Sequence, residues 1–218
     1  KNVTTGVQNT LIGGLAGDAL TTGSYNQAFG YNALGSETGG NRSTALGYFA
    51  LFAQNKGSGD ANNVAIGHST GQSITTGVQN TLVGAQAGDS LTTGTNNVAI
   101  GFEALATEDE HSFNVAVGHR ALKTQNAGAS AYNTAVGYNA GLSVSTGIEN
   151  TLVGGLAGDA LTTGDGNTAV GYFALSNEDA GGRSVAIGTQ ALHSQNTTST
   201  TVPYNVAVGY QAGAAITT

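Results

Sequence analysis

Residues 96–118 read NNVAIGFEALATEDEHSFNVAVG, so that the run Asn97-Val98-Ala99-Ile100-Gly101 returns 17 residues later as Asn114-Val115-Ala116-Val117-Gly118. A short β-branched stretch closed by Asn on one side and Gly on the other reads as a strand. Its return at a fixed short interval is the signature of a stacked repeat. Working outward, the closing glycine recurs as Gly13, Gly30, Gly47, Gly67, Gly84, Gly101, Gly118, Gly137, Gly154, Gly171, Gly188 and Gly209. The steps are 17, 17, 20, 17, 17, 17, 19, 17, 17, 17 and 21. The pattern predicts an all-β parallel β-solenoid, or β-roll, of twelve rungs of about 17 residues. The rungs group in fours, giving three superrepeats at about 6–76, 77–146 and 147–218 within one solenoid segment, 1–218. In each superrepeat the extra residues fall between the third and fourth rungs, at 56–61, 127–131 and 197–203.

Aligned on the glycine, the preceding position is always bulky and apolar, from Ile12 and Phe29 through Ile100 and Val117 to Val208, and is expected to form a core ladder. The strands show no polar side, so both faces are expected to be buried: one lines the coil interior, and the small alanine column on the other suits close approach of a neighbouring subunit. Four places before the glycine stand Asn9, Asn26, Asn63, Asn80, Asn97, Asn114, Asn133, Asn150, Asn167 and Asn205, with Ser43 and Ser184 in the other two rungs. This column reads as a structural amide ladder at the turn into the strand. Four places after the glycine the residues run Gly, Leu, Leu, Gly in every superrepeat, beginning with Gly17, Leu34, Leu51 and Gly71.

Composition supports a thin core of small pieces: 35 glycines, one proline, 9% charged residues, and no Cys, Met or Trp in 218 residues. A formal charge of -7 with six scattered Lys and Arg leaves no basic stripe, so nucleic acid is not an expected partner. No apolar run is long enough for a membrane span, so this segment is not expected to insert. Without cysteine there are no disulfides and no thiolate metal sites.

The runs NNVAIG, FNVAVG and NTAVG, each followed by two variable residues and a small one, resemble the repeats in YadA-like heads of trimeric autotransporter adhesins. NTAVGYNAG and NTAVGYFAL are similar to repeats of phage tail-fibre proteins. The resemblance covers all the rungs. It implies a homotrimer of parallel β-rolls displayed outside a bacterial cell or on a phage virion, with Val64 and Ile66, or Val98 and Ile100, as core aliphatics. Both termini break off inside the repeat, which fits a piece of a longer fibre. Rungs of 17 residues and Ala where the adhesin repeat has Ser are departures from that family.

No catalytic, cofactor or metal site is expected. Glu108-Asp109-Glu110-His111 and Glu178-Asp179 read as solvated acidic turns, with a weak cation site as the alternative. Asp18, Asp89 and Asp159 recur four rungs apart and read as turn residues. Glu37 with Arg42 and Glu178 with Arg183 repeat at equal spacing, suggesting structural pairs across a turn. The four histidines occupy different rungs, and no Ser-His-Asp arrangement is visible.

Tyr31, Tyr48, His68, Phe102, His119, Tyr138, Tyr172 and Tyr210 directly follow the marker glycine and form an aromatic stripe suited either to packing at the rung corner or to contact with a host-surface glycan or protein receptor. Lys56, Ser58 and Asp60 in the first insertion are further candidate contacts. The leading expectation is therefore a structural fibre or adhesin segment, not an enzyme. The alternative is a monomeric ligand-binding solenoid for carbohydrate or ice, suggested by threonine pairs such as Thr21-Thr22 and Thr92-Thr93, and behind it a polysaccharide-degrading solenoid.

Overall fold

The computed structural model describes residues 3–197 and 203–217, and the chain forms two compact units, 1–112 and 113–218. In the first unit the strands are β1 (Thr10–Ile12), β2 (Gln27–Phe29), β3 (Gly40–Asn41), β4 (Thr44–Leu46), β5 (Gly59–Asp60), β6 (Val64–Ile66), β7 (Thr81–Val83) and β8 (Val98–Ile100). In the second they are β9 (Val115–Val117), β10 (Thr134–Val136), β11 (Thr151–Val153), β12 (Thr168–Val170), β13 (Val185–Ile187) and β14 (Val206–Val208). No helix occurs among the described residues. The fold is an all-β parallel β-solenoid. Successive three-residue strands pair in parallel and in register, Leu11 opposite Ala28, Ala28 opposite Ala45, Ala65 opposite Leu82 in the first unit, and Ala135 opposite Leu152 in the second. The two-residue strands β3 and β5 pair separately, also in parallel.

The strands turn the opposite side inward from the one the sequence pattern suggested. The residue before the marker glycine does not form the core: Ile12 is 58% exposed and Leu46 45%, with Ile66, Ile100, Val136 and Ile187 also exposed. The central strand residue is the buried one, with Ala28, Ala45, Ala65, Leu82 and Ala99 fully enclosed in the first unit and Ala116, Ala135, Leu152, Ala169 and Ala186 in the second. Side chains alternate across a strand, so in a three-residue strand one residue goes in and two go out. Interior space selects which: where the corner is a leucine, as at Leu34, Leu51 and Leu105, the far wall is already filled and the central residue opposite is alanine. The alanine column is therefore interior packing and not a subunit contact. Val64, Ile66, Val98 and Ile100, expected as core aliphatics, stand on the outer face of the sheet.

The Gly-Leu-Leu-Gly alternation follows from the same volume constraint. Where the strand centre is Leu, the corner is Gly: a Cβ on Gly88 would lie 3.0 Å from Leu82 Cδ2, and one on Gly71, a rung earlier, 2.7 Å from Leu82 Cδ1. One leucine thus fills the space beside two glycine corners. The corners take left-handed backbone, as at Tyr25, Asn32 and Leu34 with φ of 62°, 55° and 54°. The marker glycine is needed for a second reason besides its φ. At Gly154, φ is +136°, and a Cβ would lie 2.7 Å from the carbonyl carbon of Gly171 in the next rung, leaving no room for any side chain.

Candidate functional site

Within each unit the asparagines of the column tie a rung to the next. Asn63 Oδ1 accepts from Asn80 N at 2.9 Å while Asn63 Nδ2 donates to Gly77 O at 2.7 Å. Asn150 repeats this with Asn167 N and Gly164 O in the second unit. The ladder expected from the sequence is present, but most of its bonds run from side-chain amide to backbone of the next rung, with amide-to-amide contact seen at Asn80 Nδ2 and Asn63 Oδ1, 3.3 Å. Each amide satisfies buried backbone groups that the short strands leave unpaired.

Seven places after the marker glycine lies a column the sequence reading missed: Leu20, Glu37, Gln54 and Ile74, then Leu91, Glu108, Gln125 and Val144. These side chains point inward and are fully buried. Glu37 Oε1 accepts from Gly39 N at 3.1 Å and Gly40 N at 2.7 Å, and Oε2 from Lys56 N at 3.1 Å and Gln54 Nε2 at 3.0 Å. Gln54 also donates to Ser43 Oγ at 2.9 Å and accepts from Asn63 Nδ2 at 2.8 Å. Glu178 is held alike by Gly181 N, Thr197 and Gln195, which reaches Ser184 and Asn205. Burial pulls the Glu37 carboxyl up, but the donors from Lys56, Gly40, Gln54 and Gly39 together outweigh it and hold the group below its ordinary range. The signal for this column was present as Glu and Gln recurring at one place in the repeat.

Two expectations about acidic residues change accordingly. Glu108 and Glu178 are not solvated turn residues, and Glu37 and Glu178 do not pair with Arg42 and Arg183. Arg42 instead forms an exposed ion pair with Asp60 and lies over the Tyr25 ring at 5.7 Å, while Arg183 donates to Tyr204 Oη at 3.1 Å. A carboxylate is needed inside, where it receives backbone N–H groups that an arginine outside cannot cover. Glu108 Oε1 accepts from Asp109 N at 3.1 Å and His111 N at 3.2 Å and lies 2.6 Å from His111 Nδ1. Glu108 Oε2 is buried with no hydrogen-bond partner, and burial pushes this carboxyl up despite the histidine contact.

On the outside, the aromatic stripe is partly a stack. Tyr31 lies on Tyr48 at 5.6 Å and Tyr48 on His68 at 5.3 Å, with interplanar angles of 17° and 2°. In the second unit His119 lies on Tyr138 at 5.3 Å. Tyr31, Tyr48, Phe102, Tyr138, Tyr172 and Tyr210 remain substantially exposed. Rings stacked on one another spend faces that a sugar ring would need, so what the inner members offer a ligand is edges and hydroxyls. Phe113 and Tyr132 stack likewise at 5.1 Å, a pair the sequence reading did not single out.

In the first insertion, Ser58 and Asp60 are exposed and Lys56 is half-buried, its N–H committed to Glu37. Asp60 is held by Arg42 and by Asn41 Nδ2 at 3.2 Å. Residues 198–202 of the third insertion lie outside the described residues. In the threonine pairs Thr21-Thr22 and Thr92-Thr93 the first hydroxyl is already used between rungs, Thr21 Oγ1 to Thr38 O at 3.0 Å and Thr92 Oγ1 to Asp109 O at 3.0 Å; of the pair Thr217-Thr218, Thr218 lies outside the described residues.

Each unit also presents the outer face of its sheet to solvent. Its two outward columns, the first and third residues of each strand, contain Thr, Val, Ile, Leu, Phe and Gln but no charged residue. Comparison of the chain with protein-family models, with curated proteins and with solved structures returns no match.

Proposed function

We propose that this chain is a structural fibre or adhesin segment that works as a homotrimer, packing its outer sheet faces together and projecting a receptor-binding surface from a bacterial cell or a virion. The observation that carries the reading is the uncharged outer sheet face with exposed Ile12, Leu46, Ile66 and Ile100, and Val136, Ile187 and Val208 in the second unit. A soluble monomer rarely leaves a contiguous apolar row open to water. A partner with a charged surface would have to desolvate its charges without compensation there, whereas another copy offers the same uncharged face. Covering one half-exposed Ile or Val contributes about 1 kcal/mol, and the row supplies many such residues per chain. The choice of three copies rests on the resemblance to trimeric adhesin and tail-fibre repeats. In that arrangement the aromatic corners and the insertions stay outward as receptor contacts.

Light scattering on the purified chain over a range of concentrations tests this. A stable species of about three times the 21.5 kDa chain mass is expected. Replacing Ile66 and Ile100 together by Lys, at outward positions, should yield a folded species of lower mass. A well-folded, concentration-independent monomer for the unaltered chain overturns the reading and brings forward the monomeric ligand-binding solenoid, with its exposed aromatic residues as the binding surface.

A further inference from the structure

The turn at residues 108–111 departs from its counterparts in two linked ways. His111 stands three residues after the buried glutamate, where the neighbouring superrepeats have Gly40 and Gly181. Its Nδ1 lies 2.6 Å from Glu108 Oε1 and 3.9 Å from Asp109 Oδ1, and one donor atom from each of the three residues falls within 4.8 Å of the others. The second departure is Glu108 Oε2. Glu37 Oε2 receives Gln54 and Lys56 N, and Glu178 Oε2 receives Gln195, but Glu108 Oε2 has no donor although its side chain is 0% exposed. A buried carboxylate oxygen facing no donor carries a desolvation cost that a bound cation, like a proton, offsets.

We propose that Glu108, Asp109 and His111 form a binding site for a divalent transition-metal ion of the zinc class. Glu108 Oε2, an Asp109 carboxylate oxygen and His111 Nδ1 are the protein ligands, and water completes the shell. The imidazole nitrogen sets the class: calcium and magnesium favour all-oxygen shells, while zinc takes nitrogen together with carboxylate oxygen. Glu108 Oε1 keeps its two backbone donors, so the free oxygen is the one available to a metal. Ligands around a tetrahedral ion at bond lengths of about 2.0–2.1 Å lie about 3.3 Å apart. The 3.9 Å gap between Asp109 and His111 therefore closes by roughly half an ångström, and the Glu108–His111 contact opens as Nδ1, in the tautomer that carries its proton on Nε2, turns its lone pair to the ion. Entry is from solvent, since the Asp109 side chain is 44% exposed and that of His111 15%. This site is independent of how many copies assemble.

The test uses the whole 218-residue chain, stripped with chelator, titrated with Zn²⁺ by calorimetry and with Co²⁺ by visible absorption. One ion per chain is expected, with cobalt bands of nitrogen–oxygen coordination. His111→Gly restores the residue found at the matching turns, and Asp109→Asn changes a surface side chain; each should weaken binding at least tenfold while the circular dichroism spectrum stays unchanged. Glu108→Gln should do the same if it folds. Absence of stoichiometric uptake, or uptake unaltered in His111→Gly and Asp109→Asn, overturns the proposal.

Discussion

Replacing Gln54 by Glu converts the buried Glu37–Gln54 contact into a carboxyl pair. Glu37 Oε2 and Gln54 Nε2 are 3.0 Å apart, and neither side chain reaches solvent. Two carboxylates at that distance cannot both stay ionised, so the folded variant takes up a proton that the unfolded chain does not hold. The penalty at neutral pH is then set by protonation. Bringing a glutamic acid of ordinary pKa about 4.3 to its acid form at pH 7 costs about 3.7 kcal/mol, from 1.36 kcal/mol per pH unit. The protonated pair keeps a bond to Glu37 and can still accept from Asn63 Nδ2. The new group has a raised folded pKa, so the deficit relative to the unaltered protein grows with pH up to that pKa and shrinks as pH falls. It drops to about 1 kcal/mol at pH 5 and vanishes near pH 4. Thermal unfolding of both proteins across pH 4–7.5 measures this, since each kcal/mol shifts Tm by about 2–4 °C in a chain of this size. A deficit that stays the same from pH 5 to pH 7.5 refutes the buried pair, because a carboxyl that must be protonated on folding gives a deficit that rises with pH.

Glu37 itself has a depressed carboxyl, so its contribution is present above the ordinary glutamate range and is lost as pH falls through its folded pKa; Glu37→Gln should be less stable at pH 7, and the two acid-denaturation curves should converge below about pH 4. Gly154→Ala should destabilise by at least about 2 kcal/mol more than Gly128→Ala in chemical denaturation, because both have positive φ but only Gly154 has the next rung's backbone against its Cβ position. Leu82→Ala removes a fully buried side chain beside two glycine corners that have no side chain to refill the space, and should cost about 2–5 kcal/mol in the same assay.

The repeat, its period, the short parallel strands and the asparagine column were legible in the sequence because each is a local pattern carried by residue type. Gly and Asn mark positions where backbone geometry admits little else, and β-branched runs mark strands. Which strand face turns inward was not legible. With Val or Thr, Ala or Leu, and Val or Ile in succession, both faces are apolar, and the usual sign of an inner face, hydrophobic against polar, is missing. The far wall of the coil decided it: Leu34, Leu51 and the buried Glu37 and Gln54 already fill the interior, so only the small central residue fits, and the larger Ile66 and Ile100 are left outside. The buried Glu and Gln illustrate the same limit, since acidic residues next to Asp and Gly read as solvated turns until backbone N–H groups from the next rung are seen to close around them. The sequence by itself determined the stacked β architecture, because that depends on local conformational preference repeated at fixed spacing. Only the tertiary structure decided which side chains are core, which are surface, and that Glu37 and Glu178 are enclosed carboxylates, because these depend on volume and hydrogen-bond supply from parts of the chain 17 or more residues away.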